Sequence, residues 1–225
     1  MLRFDILTVL PESLDSYLNA AIVKRAVLKK KIKINIYNLR DWSDNNYKSV
    51  DDHPYGGGAG MVMRLDIIFK ALKKLKALGL KKKDKTKVIL FAANGLPLTQ
   101  KKLDEWSKLD RLVLICGRYE GIDNRVAEHL ASEIISIGPY VLTGGEIPAL
   151  TVIDGVTRLL PEVIKKESLQ EESFSNGREK GEYPQYTRPE KFYPETKSKK
   201  KHWDVPEVLL TGDHKKIDEW RASTI

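Results

Sequence analysis

Residues 4–10 alternate apolar and polar side chains, a period of two that predicts a first strand. Pro11-Glu12-Ser13 opens a helical pattern that runs to about residue 30, and Ile32, Ile34 and Ile36 alternate as a second strand. An irregular stretch rich in Asp, Asn and Gly follows over 39–64, a length that inside a compact domain is usually functional or disordered. Leu65, Ile68, Leu72 and Leu75 then recur at helical spacing. The pattern continues as strand 87–91, helix 99–108, strand 111–116, helix 122–131, strand 133–137 and helix 146–160. Alternating strands and helices imply an α/β fold with a mainly parallel sheet and helices on both faces. This first domain is expected over 1–160. Beyond it the apolar period vanishes. Residues 161–185 read as a mobile linker and 186–225 as a short helical domain, with Gly212 stopping one helix and Asp213 capping the next.

Three of the expected strands end in loops of small residues. They are Ala92-Ala93-Asn94-Gly95, Gly117-Arg118-Tyr119-Glu120-Gly121, and the run from Ser136 to Leu150 that holds Gly138, Gly144, Gly145 and Pro148. Those three glycines permit positive φ and close backbone approach, while Pro148 suits a first helical turn. In open α/β sheets ligands lodge beyond the carboxyl ends of the strands, so either the loops line one small-molecule pocket or each turns a corner.

A fourth feature, Tyr55-Gly56-Gly57-Gly58-Ala59-Gly60-Met61, has no strand before it and so does not fit the dinucleotide fingerprint. No phosphate-loop motif is present either. The glycines predict backbone packed against a ligand, a partner or another loop; the alternative is a surface turn. Asp51, Asp52 and Tyr55 add polar groups and a stacking face of the kind that suits a nucleobase. Arg158 and the pair Glu171-Glu172 complete the candidates. A carboxylate on a mobile segment can take a proton and an arginine can stabilise negative charge, although a surface ion pair explains them equally.

Composition narrows the classes. The net charge is +8, and since 161–225 holds thirteen cations against thirteen anions, the whole excess lies in 1–160. That suits a polyanionic partner without demonstrating one. No apolar run approaches the roughly 20 residues of a membrane span. A single cysteine, Cys116, excludes an internal disulfide, fits a reducing cytoplasmic compartment and is expected as a buried thiol. The four histidines lack ligand spacing, so no metal site is expected. Lys197-Ser198-Lys199-Lys200-Lys201 reads as a loop or a nucleic-acid contact.

Taken together, several motifs resemble those of the bacterial tRNA (guanine-N1)-methyltransferase family. They are residues 50–61, Cys116-Gly117-Arg118-Tyr119-Glu120-Gly121-Ile122-Asp123, residues 136–148, residues 154–161, Tyr186-Thr187-Arg188-Pro189-Glu190 and Leu209-Leu210-Thr211-Gly212-Asp213-His214. The resemblance implies a deep trefoil knot, an obligate homodimer with a shared site, and S-adenosylmethionine held by Leu90, Gly117, Tyr119, Gly121, Ile137, Gly138, Tyr140, Leu142, Gly144, Gly145 and Pro148. It implies tRNA as substrate, methylated at N1 of the guanine just 3′ of the anticodon. Asp52, Tyr55, Gly56, Gly57, Gly58 and Glu120 would lie against that substrate. Glu172 matches the family's general base, and Arg158 the arginine placed near O6. Magnesium is implied without a cage of protein ligands.

Some positions depart from the family pattern. Glu stands at 172 and at 182 where aspartates are usual, Ala92-Ala93 replaces Ser-Pro, and Pro139 replaces a frequent acidic residue. The C-terminal region is shorter than usual, which bears on tRNA affinity more than on chemistry. These departures leave a second function open: an RNA-binding dimer that retains the cofactor pocket without catalysis.

Overall fold

The computed structural model describes residues 1–81, 83–165, 183–194 and 202–224. The chain divides into two units, Met1–Ile164 and Lys165–Ile225.

The first unit is built on five parallel strands: β1 (Leu2–Thr8), β2 (Ile32–Asn38), β5 (Thr86–Pro97), β6 (Arg111–Ile115) and β7 (Glu133–Ser136), in the order β2-β1-β6-β5-β7. Their period-two alternation divides two cores. Phe4 and Ile6 of β1, Ile89 and Phe91 of β5, and Leu112 and Leu114 of β6 point to one face. There they meet α2 (Ala21–Leu28), α4 (Gln100–Trp106) and α6 (Glu146–Arg158) through Val23, Trp106, Val152 and Val156. Leu7, Val88, Leu90, Val113 and Ile115 point the other way, onto Ile68 and Leu72 of α3 (Leu65–Lys74) and Val126 of α5 (Asn124–His129). A sheet covered on both faces is what parallel pairing requires.

Several expected bounds shift. The helical region after Pro11 is not continuous: a 3₁₀ turn (Pro11–Leu14) leads into α1 (Asp15–Leu18), and the chain bends before α2, with Ala21 at φ +42°. The stretch 39–64 carries a 3₁₀ turn (Leu39–Trp42) and a small antiparallel pair, β3 (Asp51–Asp52) with β4 (Val62–Met63). β5 does not stop at Phe91. Phe91 and Leu96 both sit opposite Ile135, so residues 92–95 bulge out and the strand resumes beyond them.

In the second unit Gly212 adopts φ +71° and the Asp213 side chain accepts from the Lys216 N–H, starting α7 (His214–Ser223). A short antiparallel pair, β8 (Lys191–Phe192) with β9 (Trp203–Asp204), was not anticipated from the sequence. Its rings pack across the strands, Phe192 tilted by 37° against Trp203 with centroids 5.6 Å apart.

Candidate active site

β6, β5 and β7 are neighbours and parallel, so the loops that leave their carboxyl ends emerge side by side. Between them opens a cavity of about 460 Å³, within the range typical of small-molecule sites. Leu90 of β5 forms part of its wall; Gly117, Tyr119, Glu120 and Gly121 come from the second loop. Ile137, Gly138, Tyr140, Leu142, Gly144, Gly145 and Pro148 come from the third. The structure thus gathers around one cavity every residue that the resemblance assigned to the cofactor, together with Glu120.

The third-loop glycines are there for space. None of Gly138, Gly144 and Gly145 has the left-handed φ allowed for at the sequence level. A Cβ on Gly145 would lie 2.6 Å from the Cys116 Cα, and one on Gly144 2.3 Å from the Arg118 Nε. Gly145 therefore lies flat on the second loop, its N–H donating to the Gly117 carbonyl at 2.9 Å. In the second loop it is Tyr119, a non-glycine, that takes φ +60°, followed by Gly121 at +124°.

Two turns shape the mouth. The Ser136 hydroxyl donates to the Gly138 carbonyl at 2.9 Å, and the Tyr140 hydroxyl donates to the Ile137 carbonyl at 3.1 Å, curling the third loop onto itself. Asp123 caps α5 by accepting from the Arg125 N–H at 3.0 Å, and Arg125 Nη2 also reaches it at 2.6 Å. The hydrogen bonds from the Arg125 guanidinium hold the Asp123 carboxyl below its ordinary range. Cys116 is buried as expected; burial, reinforced by the nearby Glu146 charge, pushes its thiol well up.

The glycine-rich loop lies beside the cavity rather than in its wall. A Cβ on Gly60 would strike Glu120 Cγ at 2.4 Å, the Glu120 N–H donates to the Met61 carbonyl at 3.0 Å, and the Met63 N–H donates to the Gly121 carbonyl at 2.9 Å. Among the expected partners for packed backbone, another loop is the one present at Gly60. Gly56, Gly57 and Gly58 need glycine for positive φ instead, and Tyr55 is 100% exposed. Asp52, at the end of β3, accepts from the His53 N–H at 2.8 Å. None of Asp52, Tyr55, Gly56, Gly57 and Gly58 lines the cavity.

Arg158 is not brought to the cavity within one chain. It is the last residue of α6, ten residues beyond Pro148, or about 15 Å along the axis at 1.5 Å per residue. Glu171, Glu172, Glu182 and the lysine run 197–201 lie outside the described residues.

Sequence reasoning gave no role to Thr8, Glu146 and Arg118, which meet where Arg118 forms part of the cavity wall. Thr8 Oγ1 donates to Glu146 Oε1 at 2.6 Å, and Arg118 Nη2 lies 3.0 Å from Glu146 Oε2. A signal for Glu146 was available: it shares the buried stripe of α6 with Ala149, Ile153 and Val156, where an acidic residue needs a partner.

Known proteins are similar to this chain over nearly its whole length. A tRNA (guanine-N(1)-)-methyltransferase of Staphylococcus carnosus (strain TM300) is 45% identical over 221 residues, covering 98% of this chain and 84% of its own length. The protein of the same name from Staphylococcus aureus (strain JH9) matches with the same identity and coverage. The family model for tRNA (Guanine-1)-methyltransferase TrmD matches residues 2–225, and the chain belongs to that family of tRNA methyltransferases.

Proposed function

We propose that the protein methylates N1 of the guanine just 3′ of the anticodon in tRNA, with S-adenosylmethionine bound in the cavity between the three loops. The convergence of those loops carries the reading. The fit to the cofactor is partly one of backbone: Gly144 and Gly145 leave no room for a side chain, so main-chain atoms there, with apolar side chains such as Leu90, Ile137 and Leu142, form the wall that the ligand meets. S-adenosylmethionine supplies the methyl group when bound. Guanine N1 carries a proton that must leave during transfer, which calls for a base. Glu172 is assigned that role by family position, and Arg158 the stabilisation of charge at O6. Glu120, packed against Gly60 and Met61 of the glycine-rich loop, forms the side on which the base would enter.

The distance of Arg158 from the cavity supports a site completed by a second copy of the chain. Exposed apolar residues point the same way: Val141 is 87% exposed and Ile147, on the first turn of α6, 57%. By resemblance the chain also carries the family's trefoil knot, and a tRNA substrate fits a reaction in the cytoplasm. Among the described residues no three His, Cys, Asp or Glu side chains gather to hold a metal, so the magnesium that the resemblance implies has no protein cage there. Nor, among those residues, is any helix long and apolar enough to cross a membrane.

Methyl transfer to tRNA transcripts with guanine or adenine at the target position tests the assignment. Guanine transcripts should be methylated and adenine ones not, and Glu172→Gln should lower the single-turnover rate by about 100-fold, the scale of general-base catalysis. Equal transfer to both transcripts rejects the specificity, and full activity of the variant rejects the base. Cofactor binding without any transfer leaves the non-catalytic RNA-binding dimer.

A further inference from the structure

Glu146 is 3% exposed and stands in the first turn of α6, where the helix dipole favours a negative charge. It does not line the cavity, yet its carboxylate joins three separate segments. On one side Thr8, at the end of β1, donates to Oε1, and the Leu10 N–H in turn donates to Thr8 Oγ1 at 3.0 Å, so this oxygen is anchored in the sheet. On the other side Oε2 faces the guanidinium of Arg118, which does line the cavity. Arg118 Nη1 donates to the Thr143 carbonyl of the third loop at 3.2 Å, and the Arg118 N–H points to Met63 Sδ at 3.1 Å. One side chain thus spans the second and third loops, with Gly117 and Tyr119 on either side of it in the cavity wall.

The manner of holding is informative. Arg118 Nε and Glu146 Oε2 are both buried without a hydrogen-bond partner among the described residues. The ion pair at 3.0 Å therefore rests on opposite charge in a water-poor setting, not on an aligned fork. Removing the charge while keeping the shape should release Arg118, even though Thr8 can still donate to the remaining oxygen. Gly144 supplies the complementary space, since a Cβ there would meet both Arg118 Nε and Glu146 Oε2, the latter at 2.5 Å.

We propose that Glu146 is a positioning residue: through Arg118 it sets the separation of the 117–121 and 137–145 loops, and so the width of the cavity. The inference rests on the reading of that cavity as the cofactor site, and adds to it a residue that touches neither cofactor nor substrate.

The test uses the full chain with Glu146→Gln and Glu146→Asp. Three quantities are read: S-adenosylmethionine affinity by calorimetry, the KM and kcat of methyl transfer, and amide hydrogen exchange by mass spectrometry. For Glu146→Gln we expect about tenfold weaker cofactor binding and a matching rise in KM, with kcat lowered less than threefold. Faster exchange should be confined to peptides covering 117–121 and 137–146. Glu146→Asp, which keeps the charge, should recover cofactor affinity to within threefold of the parent. Unchanged affinity with unchanged exchange overturns the proposal. So does faster exchange throughout β1, β5 and β6, which marks a general structural role, or a fall in kcat with affinity kept, which marks a role in the chemistry. Should the parent chain give no heat with S-adenosylmethionine, the cofactor reading fails, and the exchange comparison alone decides the positioning claim.

Discussion

Asp5 and Arg111, 106 residues apart, meet at 2.6 Å between Arg111 Nε and Asp5 Oδ2 on the α3 side of the sheet. Asp5 is fully buried in β1, and it also accepts from Asn35 Nδ2 at 2.6 Å and from Arg3 Nε at 3.0 Å. Arg111 Nη1 continues to the Leu75 carbonyl at 2.8 Å, so the network ties β1, β2, β6 and the end of α3 together, on the side of the sheet from which β6 starts and away from its cavity end. Removing one partner of a buried pair leaves the other charge unpaired, at a cost of about 3–5 kcal/mol. Asp5→Ala should therefore lower unfolding stability by an amount of that order in urea titrations. Cofactor affinity measured well below the melting range should be unaffected.

Gly145 tests the close approach of the two loops. A Cβ there would stand 2.6 Å from the Cys116 Cα, 2.9 Å from the Gly117 N and 3.1 Å from the Cys116 carbonyl carbon, all three of them backbone atoms. Overpacking of this kind costs roughly 1–3 kcal/mol or more, because only main-chain displacement relieves it. Gly145→Ala should lower stability within that range and widen the cavity. Calorimetry should then show at least tenfold weaker S-adenosylmethionine binding.

Glu133 gives the chain a definite acid response. Burial opposes its charged form, but hydrogen bonds from Lys102 Nζ, at 2.7 Å, and from Lys87 outweigh that and depress its carboxyl. A depressed folded-state value contributes stability that is present above the unfolded carboxylate range and is lost as pH falls through the folded value. Melting temperature should drop as pH is taken below the ordinary glutamate range. Glu133→Gln should flatten that drop while lowering the neutral-pH melting point; an identical slope in both proteins would refute the assignment.

Tyr55 separates substrate contact from fold. It is wholly exposed on a loop of left-handed glycines, so Tyr55→Ala should change the melting temperature by less than a degree or two. A stacking role toward a base predicts a rise of roughly 5- to 150-fold in KM for tRNA, at about 1–3 kcal/mol per stacked base. KM for the cofactor should stay put.

Much of the architecture could be read along the chain, because its signals are local. Ile32, Ile34 and Ile36 marked β2 and Leu65, Ile68 and Leu72 marked α3, since each spacing presents one apolar face. Cys116 was expected inside, and it is. The helix after Pro11 was legible only in part: Ala21 takes a positive φ that its side chain does not advertise. The double pairing of Ile135 with Phe91 and Leu96 was not legible either, since a bulge depends on the partner strand as much as on the strand itself.

The candidate site divides along the same line. Loop composition alone located the three bends of small residues, and the order of the motifs carried the family, since both are properties of consecutive residues. Tertiary structure alone decided that the bends meet, because that depends on β6, β5 and β7 lying side by side and parallel. It likewise decided that Gly144 and Gly145 serve proximity rather than φ, and that Glu146 is held between Thr8 and Arg118. A contact across 138 residues leaves no mark on local periodicity, and only the folded sheet brings its two ends within reach.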